Sequence, residues 1–189
     1  MGDIVFDITR RADSTEYEYG ELVAPATLNG HVYKCTTPGT SGTSVPSWNT
    51  GAGSTTTDGA VEWTEANPSG ITYSAPLTFQ TPPKYEDTPR KRKYSQVIEY
   101  AAGGEPYVFT HEAPARQTRE LSWSDMVKDD WAGLSDFIDI LRGAIYAFVF
   151  TDEDGNTHDA LILNSDDIRS AAAKDGLVGS VSVQLLLLT

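Results

Sequence analysis

One acidic stretch in the last quarter of the chain has side chains that could bind a metal ion. Its oxygen-bearing residues are Asp152, Asp154, Asn156 and Asp159. Calcium prefers such ligands, but the EF-hand pattern fails because its glycine belongs at the sixth loop position and Gly155 is fourth. The twelfth position, which needs glutamate, is Leu163. We therefore predict a hairpin turn and no resident metal, with adventitious metal binding as the alternative.

The remaining reactive residue types do not assemble into a recognisable catalytic pattern. The histidines, His31, His111 and His158, are far apart and have no HxxH or HExxH spacing. Cys35 is the single cysteine, so it can form neither an intrachain disulfide nor a cysteine-based metal site. GxSxG, GxxxxGK and GxGxxG motifs are absent from the sequence. We expect a protein that is not an enzyme and carries no cofactor.

Three large aromatic residues could instead bind a sugar ring. A segment that is rich in serine, threonine and glycine contains them at intervals, as Tyr33, Trp48 and Trp63. Exposed aromatic rings in such a β module can stack on sugars, which makes these residues candidate glycan contacts. They are also the large residues available for a core in that segment, and a small module needs most of its aromatics inside. Both uses stay open, with core packing favoured.

The charge of the chain limits its partners. A net charge of -13 disfavours binding to nucleic acid, which depends on lysine and arginine displacing counterions from phosphates. Five basic residues nevertheless cluster at Lys84, Arg90, Lys91, Arg92 and Lys93. We interpret this cluster as a solvated loop or, alternatively, as a contact patch for an acidic neighbouring subunit.

Changes in composition divide the chain into parts. Residues 1–13 are predicted to supply a strand to the main body, and residues 14–66 a small Ser/Thr/Gly-rich β module with tight turns. The Asn67 to Gly70 stretch is predicted to be a linker, and residues 71–189 the body. We expect the body to stay folded when residues 18–65 are deleted.

The body has the pattern of an antiparallel β-sandwich or barrel with one short packing helix. Predicted strands cover 71–79, 94–100, 107–111 and 116–123, which are mostly rich in β-branched and aromatic residues. A helix over about 130–142 follows from apolar residues at i, i+3, i+4 and i+7 spacing, namely Trp131, Leu134, Phe137, Ile138 and Leu141. Asp129 or Asp130 is the expected N-cap, and Gly143 the expected stop.

A hairpin and a terminal strand complete the predicted body. Residues 144–151 and 158–163 flank the acidic turn, and residues 179–189 alternate strictly. One face of the terminal strand is apolar throughout. The other changes from Ser182 and Gln184 to Leu186 and Leu188, so we expect the helix or a neighbouring subunit to cover its later half.

Localisation signals are missing from the sequence. The N-terminus has no apolar signal-peptide region, and no stretch approaches the roughly 18 apolar residues of a membrane span. We expect a soluble protein that is made in the cytoplasm and does not contact a membrane.

The aromatic segment resembles a small carbohydrate-binding-like module that recurs in structural proteins of tailed bacteriophages. The match covers about a quarter of the chain. It rests on Tyr17-x-x-Gly20-x-x-Val23-x-Pro25, Asn29-Gly30-x-x-Tyr33-x-Cys35-Thr36-Thr37-x-Gly39-Thr40-Ser41-Gly42, Pro46-x-Trp48 and Thr57-Asp58-Gly59-Ala60-Val61-Glu62-Trp63.

The body is similar in its order of elements to distal tail and tail-tip proteins of long-tailed phages. The order is a Trp123-containing strand, a short helix, Arg142-Gly143, an aromatic strand, Asp154-Gly155-Asn156 and a terminal apolar strand. The resemblance implies a ring, commonly a hexamer, that joins the tail tube to the tip or baseplate. DNA would then be only passing content of the channel, which an acidic lining repels rather than binds.

Three functional hypotheses follow. The first is a distal-tail or tail-tip structural protein of the virion, whose partners are copies of itself and the neighbouring tail tube and tip proteins. The second is an accessory virion protein that attaches to host or environmental glycans. The third is a neck or tail-completion protein.

Overall fold

The computed structural model describes residues 2–84, 91–93, 96–100, 106–110, 116–164, 168 and 177–188. The prediction of a mainly β protein, with an antiparallel β-sandwich or barrel-like body and one short packing helix, is confirmed. The strands are β1 (Val5–Asp7), β2 (Glu16–Tyr17), β3 (Leu22–Val23), β4 (Tyr33–Thr37), β5 (Gly39–Thr40), β6 (Thr55–Asp58), β7 (Val61–Glu65), β8 (Leu77–Thr78), β9 (Lys91–Lys93), β10 (Gln96–Tyr100), β11 (Pro106–Thr110), β12 (Arg116–Trp123), β13 (Met126–Val127), β14 (Phe148–Thr151), β15 (Thr157–Ile162), β16 (Leu177–Val178) and β17 (Val181–Leu188). The helix is α1 (Lys128–Leu141).

The body is built on a seven-stranded sheet in the order β8-β1-β14-β15-β17-β12-β9. Every pair of neighbours in it is antiparallel. The N-terminal strand β1 lies between β8 and β14, so residues from both ends of the sequence share one sheet. Strands β10 and β11 form a separate two-stranded ribbon, and β13 pairs with β16.

The inner face of this sheet and one side of α1 form the main core. Alternate side chains along the strands are buried, as period-two geometry requires: Phe6, Leu121, Trp123, Phe148, Phe150, Ala160, Ile162, Val181, Val183, Leu185 and Leu187. The ring of Phe137 from α1 meets Phe148 edge-on, with centroids 5.4 Å apart. The same ring lies 5.8 Å from that of Phe6, which places the helix on the inner face.

The helix begins earlier than predicted and is not capped by an aspartate. Its N-cap is Val127, which makes no side-chain capping bond, and both candidate aspartates lie within the first turn. Asp130 is buried instead, and its Oδ2 accepts hydrogen bonds from the amides of Gln80 (2.9 Å) and Thr81 (3.3 Å). The predicted cap therefore holds a neighbouring segment against the helix.

The helix ends one residue before the predicted 142. Arg142 adopts a left-handed conformation (φ 50°, ψ 47°), and its amide donates to the carbonyl of Asp139. The amide of Gly143 donates to Ile138, so the last carbonyls of the helix are satisfied by the turn. Ile140 is buried although the predicted stripe omitted it, whereas Trp131 and Ile138 are only partly buried.

The predicted strand over 71–79 is wrong for most of its length. Tyr73 makes an isolated bridge with Gly30, and regular pairing is restricted to β8. Proline has no amide to donate to a ladder, and Pro76 directly precedes β8. Of the other predicted strands, 116–123 has the predicted bounds, and Tyr94, His111 and Thr189 lie outside the described residues.

The module has a four-stranded sheet, ordered β3-β4-β7-β6, and a short β2-β5 pair. Its small core consists of Tyr17, Val23, Tyr33, Cys35, Val61 and Trp63, with Trp48 packed against it. Three residues from the same segment, Leu22, Ala24 and Val32, are buried in the main core instead. The module and the body therefore share apolar contacts.

The predicted linker is a fixed turn. The Asn67 side chain accepts a hydrogen bond from the Val32 amide (2.7 Å) and donates to the carbonyls of Gly30 (2.8 Å) and Ile71 (2.9 Å). The Ile71 amide donates to the Pro68 carbonyl and closes the turn. These bonds hold the end of β7 beside the start of the body.

Candidate functional site

Two of the three candidate glycan contacts are core residues. Tyr33 and Trp63 are fully buried, so neither ring presents a face on which a sugar could stack. The ring of Tyr17 meets Trp63 edge-on at 4.9 Å, and Trp48 lies 4.3 Å from the Tyr33 ring. Trp48 is only partly buried, which leaves it as the one member of the trio that can reach a ligand.

Hydrogen bonds fix the two buried rings in place. The indole N–H of Trp63 donates to Oδ2 of Asp58 (3.2 Å), and the Asn29 amide donates to the Tyr33 hydroxyl (3.0 Å). Burial raises the pKa of the Tyr33 hydroxyl. By contrast, the indole N–H of Trp48 is buried and has no hydrogen-bond partner among the described residues.

Cys35 is positioned as a core residue of the module. It is fully buried in β4, and its thiol donates to the Thr37 carbonyl over 3.4 Å. Burial raises the pKa of the thiol, which lowers the thiolate fraction that a nucleophile needs. This geometry is that of an unreactive cysteine.

The acidic stretch that could have bound calcium is a hydrogen-bonded turn. Oδ1 of the buried Asp152 accepts from the amides of Asp154 (3.0 Å) and Asn156 (2.8 Å). Burial alone would raise the pKa of Asp152, but these bonds and that from His158 outweigh it, and its pKa lies below the usual value. Within the described part of the chain, no group of three or more potential ligands is arranged to hold a metal ion.

Charged groups close the end of the inner face beside this turn. Arg119 pairs with Glu153 and lies 3.8 Å from Asp152, while its guanidinium packs over the Phe150 ring at 5.5 Å. His158 Nε2 is 3.5 Å from the same Asp152 carboxylate. Asp152 thus contacts both the turn and the side chains of Arg119 and His158, and its role is structural.

The outer face of the body sheet presents four leucines, two of them exposed and two partly buried. We call this set the outer leucine face and define it as Leu161, Leu163, Leu186 and Leu188. Leu161 is the direct ladder partner of Leu186, and Leu188 that of Asp159. Leu163, just after β15, is 46% exposed, and Leu188 is 39% exposed. The helix lies on the opposite face, so the expected helical cover for Leu186 and Leu188 is absent from the described chain.

The basic cluster reaches the edge of the same sheet. Lys91, Arg92 and Lys93 form β9, an edge strand rather than part of the loop that the sequence suggested. Lys84 makes an isolated bridge with Ser122 of β12. Arg90 lies outside the described residues.

Sequence reasoning missed Leu161 and Leu163, although a signal for them existed. They alternate with the buried Ala160 and Ile162 in the same way that Leu186 and Leu188 alternate with Leu185 and Leu187. The apolar outer face therefore spans two neighbouring strands. A face of this kind is suited to contact with another protein surface.

Comparisons with protein-family models, with curated proteins and with solved structures found no match to this chain. In the part of the chain that the structure describes, no helix has the length and apolar character needed to cross a membrane.

Proposed function

We propose that this chain is a structural protein of a tailed-phage virion, of the distal-tail or tail-tip type, that works by self-assembly. The observation that carries this proposal is the outer leucine face on the body sheet. Leucines at this exposure cost free energy in water and gain it when a neighbouring subunit covers them.

Other features agree with this proposal. The body combines a large antiparallel sheet, one short helix and a terminal apolar strand, which is the order that resembles tail-tip proteins. A net charge of -13 suits a ring through which DNA passes without binding. The partners are further copies of the chain and the adjoining tail proteins, and the protein is made in the cytoplasm of the host.

Immunogold labelling of intact virions, with antibodies raised against the purified chain, tests this proposal. Label at the distal end of the tail is the expected result. Label at the junction of capsid and tail would instead establish a neck or tail-completion protein. Virions without label, in preparations where a known tail protein is labelled, would reject a virion role.

A second candidate function, glycan attachment, is favoured by one observation. Trp48 has a partly exposed ring that packs on the buried Tyr33 ring, so it could stack on a sugar. Val45 in the same loop is 58% exposed and adds apolar surface. The site is small and has one ring, which predicts weak binding.

A glycan array probed with the purified chain tests this second function. Binding that is lost in Trp48→Ala and kept in Tyr19→Ala would support it, because Tyr19 is an exposed aromatic of the same module outside the Trp48 cluster. Equal loss in both variants would indicate non-specific aromatic adsorption. An array without signal at high protein concentration would eliminate this function.

A further inference from the structure

The two ends of the body sheet are joined by residues 79–84, which we call the strap. Strand β8, at one end of the strand order, leads directly into the strap, and Lys84 at its end bridges Ser122 of β12. Ser122 pairs with Ser182 of β17 on its other side, so Lys84 lies on the side of β12 that β9 also occupies. The strap therefore closes the sheet on itself.

Side chains from both ends of the sheet hold the strap. The Phe79 ring meets Phe6 of β1 edge-on at 5.4 Å and lies 4.9 Å from the Trp123 ring of β12. The indole N–H of Trp123 donates to the Thr81 carbonyl (2.9 Å), and Asp130 of α1 accepts the amides of two strap residues. A few specific contacts thus replace a continuous ladder at this closure.

The backbone pairing of the strap is sparse. Within the described residues, the strap pairs with the backbone of β12 through the Lys84 amide, which donates to the Ser122 carbonyl (2.6 Å). On its other side, β12 pairs with β17 along residues 117–123. Pro82 and Pro83 have no amide hydrogen, so they cannot donate further ladder bonds.

A cavity of about 170 Å³ lies between the strap and residues 2–4, which precede β1. The strap residues that line it are Phe79, Gln80, Pro82 and Pro83. Space without protein atoms contributes no dispersion contacts, so the strap gains little packing from the N-terminal segment. The strap is therefore supported mainly by β12 and α1.

We propose that the strap is a latch, which opens as a local unit while the rest of the body stays folded. Local opening costs less free energy than global unfolding where few backbone hydrogen bonds and few packing contacts are lost, and the strap has few of both. Opening leaves the Ser122 carbonyl unpaired on the free side of β12. An unpaired strand edge is a template for pairing with another chain, so the closed latch protects β12 from strand addition.

Native-state hydrogen exchange of the full chain, in urea concentrations below the unfolding transition, tests the latch. The probes are the hydrogen-bonded amides of Gln80, Thr81 and Lys84, and the reference amides are those of Leu121 and Val183, which are ladder partners in the main core. We expect protection of the strap amides to be at least about tenfold lower and to depend less on urea. Equal protection with equal urea dependence would show that the strap opens only when the whole body unfolds.

A disulfide across the closure separates latch opening from simple exposure of the amides. Lys84→Cys/Ser122→Cys joins the strap to β12, because antiparallel partners lie within the Cα separation that a disulfide spans. Ser122→Cys/Ser182→Cys is the matched control, since it joins the same β12 residue to β17 instead. Each variant is compared with its own reduced form, so the lost Ser122 hydroxyl affects both states equally.

Oxidation should act on the strap in the first variant alone. We expect protection of the Gln80 and Thr81 amides to rise about tenfold or more in Lys84→Cys/Ser122→Cys and to stay within about twofold in the control. Unchanged protection in the first variant, or equal changes in both, would overturn the latch, and a first variant that does not oxidise would contradict the closed bridge itself. These outcomes do not depend on where antibodies label the virion, so the latch and the proposed function can fail separately.

Discussion

Arg11 and Asp58, 47 residues apart in the sequence, form a buried two-pronged ion pair. Nε and Nη2 of the arginine donate to the two carboxylate oxygens, both over 2.9 Å. Both side chains are only 1% exposed. The pair therefore attaches the segment after β1 to the end of β6 in the module, and it holds the Trp63 indole through the same carboxylate.

Removing one partner of this pair should strongly destabilise the protein. We expect Asp58→Asn to lower the free energy of unfolding by about 3–5 kcal/mol, because the buried Arg11 charge loses its buried counter-ion and keeps only the exposed Asp13. Asp13→Asn is the control, since Asp13 also pairs with Arg11 but is 53% exposed, and it should cost about 1 kcal/mol or less. Urea unfolding measures both. Similar losses in the two variants would show that burial of the pair does not matter.

Stability should fall in acid through two aspartates. Burial alone would raise the pKa of Asp58, but the bonds from Arg11, Gly42 and Trp63 lower it below the usual 3.8, and the pKa of Asp152 is lowered as well. A lowered folded-state pKa gives stability that is present above the unfolded value and is lost as the pH falls through the folded value.

Asp152→Asn isolates one of these contributions. The variant should be less stable than the parent at pH 7, and the difference should shrink as the pH falls below about 4, where the parent's carboxylates become protonated. Urea unfolding between pH 7 and pH 3 measures the difference. A constant difference over this range would mean that Asp152 acts through shape rather than charge.

The sequence predicted features that depend on neighbouring residues better than contacts between residues far apart in the chain. The helix and the alternation of β17 were predictable because regular spacing of apolar residues is local information. The Arg11–Asp58 pair and the hydrogen bonds from Asp130 to Gln80 and Thr81 were not, since they join distant segments. For the candidate glycan contacts Tyr33, Trp48 and Trp63, the residue types allowed either core packing or sugar binding. Only the packing of the folded chain could show that Tyr33 and Trp63 are buried.

Gly59 should tolerate no side chain. It has a φ of +65°, and an added Cβ would lie 2.6 Å from the Gly42 amide nitrogen. Gly53 is the matched control, because its φ is +67° but an added Cβ meets nothing within 4 Å. We expect Gly53→Ala to cost about 1–2 kcal/mol of unfolding free energy from backbone strain alone, and Gly59→Ala clearly more. Thermal unfolding of both variants checks the order, and equal costs would contradict the close approach.

Asp130→Asn should loosen the segment that follows β8. The substitution removes the charge that strengthens the bonds to the Gln80 and Thr81 amides, at a cost of about 1–3 kcal/mol for a buried acceptor. Asp129→Asn is the control on the same helical turn, where the side chain is exposed. Hydrogen exchange at the two amides measures the effect directly. Unchanged exchange in Asp130→Asn would show that other contacts hold this segment.

Deletion of residues 18–65 tests whether the module is separable, and the shared core changes the expectation that composition alone gave. Leu22, Ala24 and Val32 are buried in the main core, and full burial of a leucine or valine stabilises by about 1.5–3 kcal/mol. We therefore expect the deleted chain to lose several kcal/mol of unfolding free energy or to unfold.

The control deletion replaces residues 36–62 with a Gly–Ser linker. It keeps Leu22, Ala24 and Val32 and should therefore destabilise the body less. Both deletions are compared by urea unfolding followed through Trp123 fluorescence, with Trp131 replaced by Phe in both and Trp63, which the smaller deletion keeps, also replaced by Phe. If the larger deletion left the body as stable as the smaller one, the module would be a passive insertion, and the apolar contacts that join it to the body would contribute nothing to the fold.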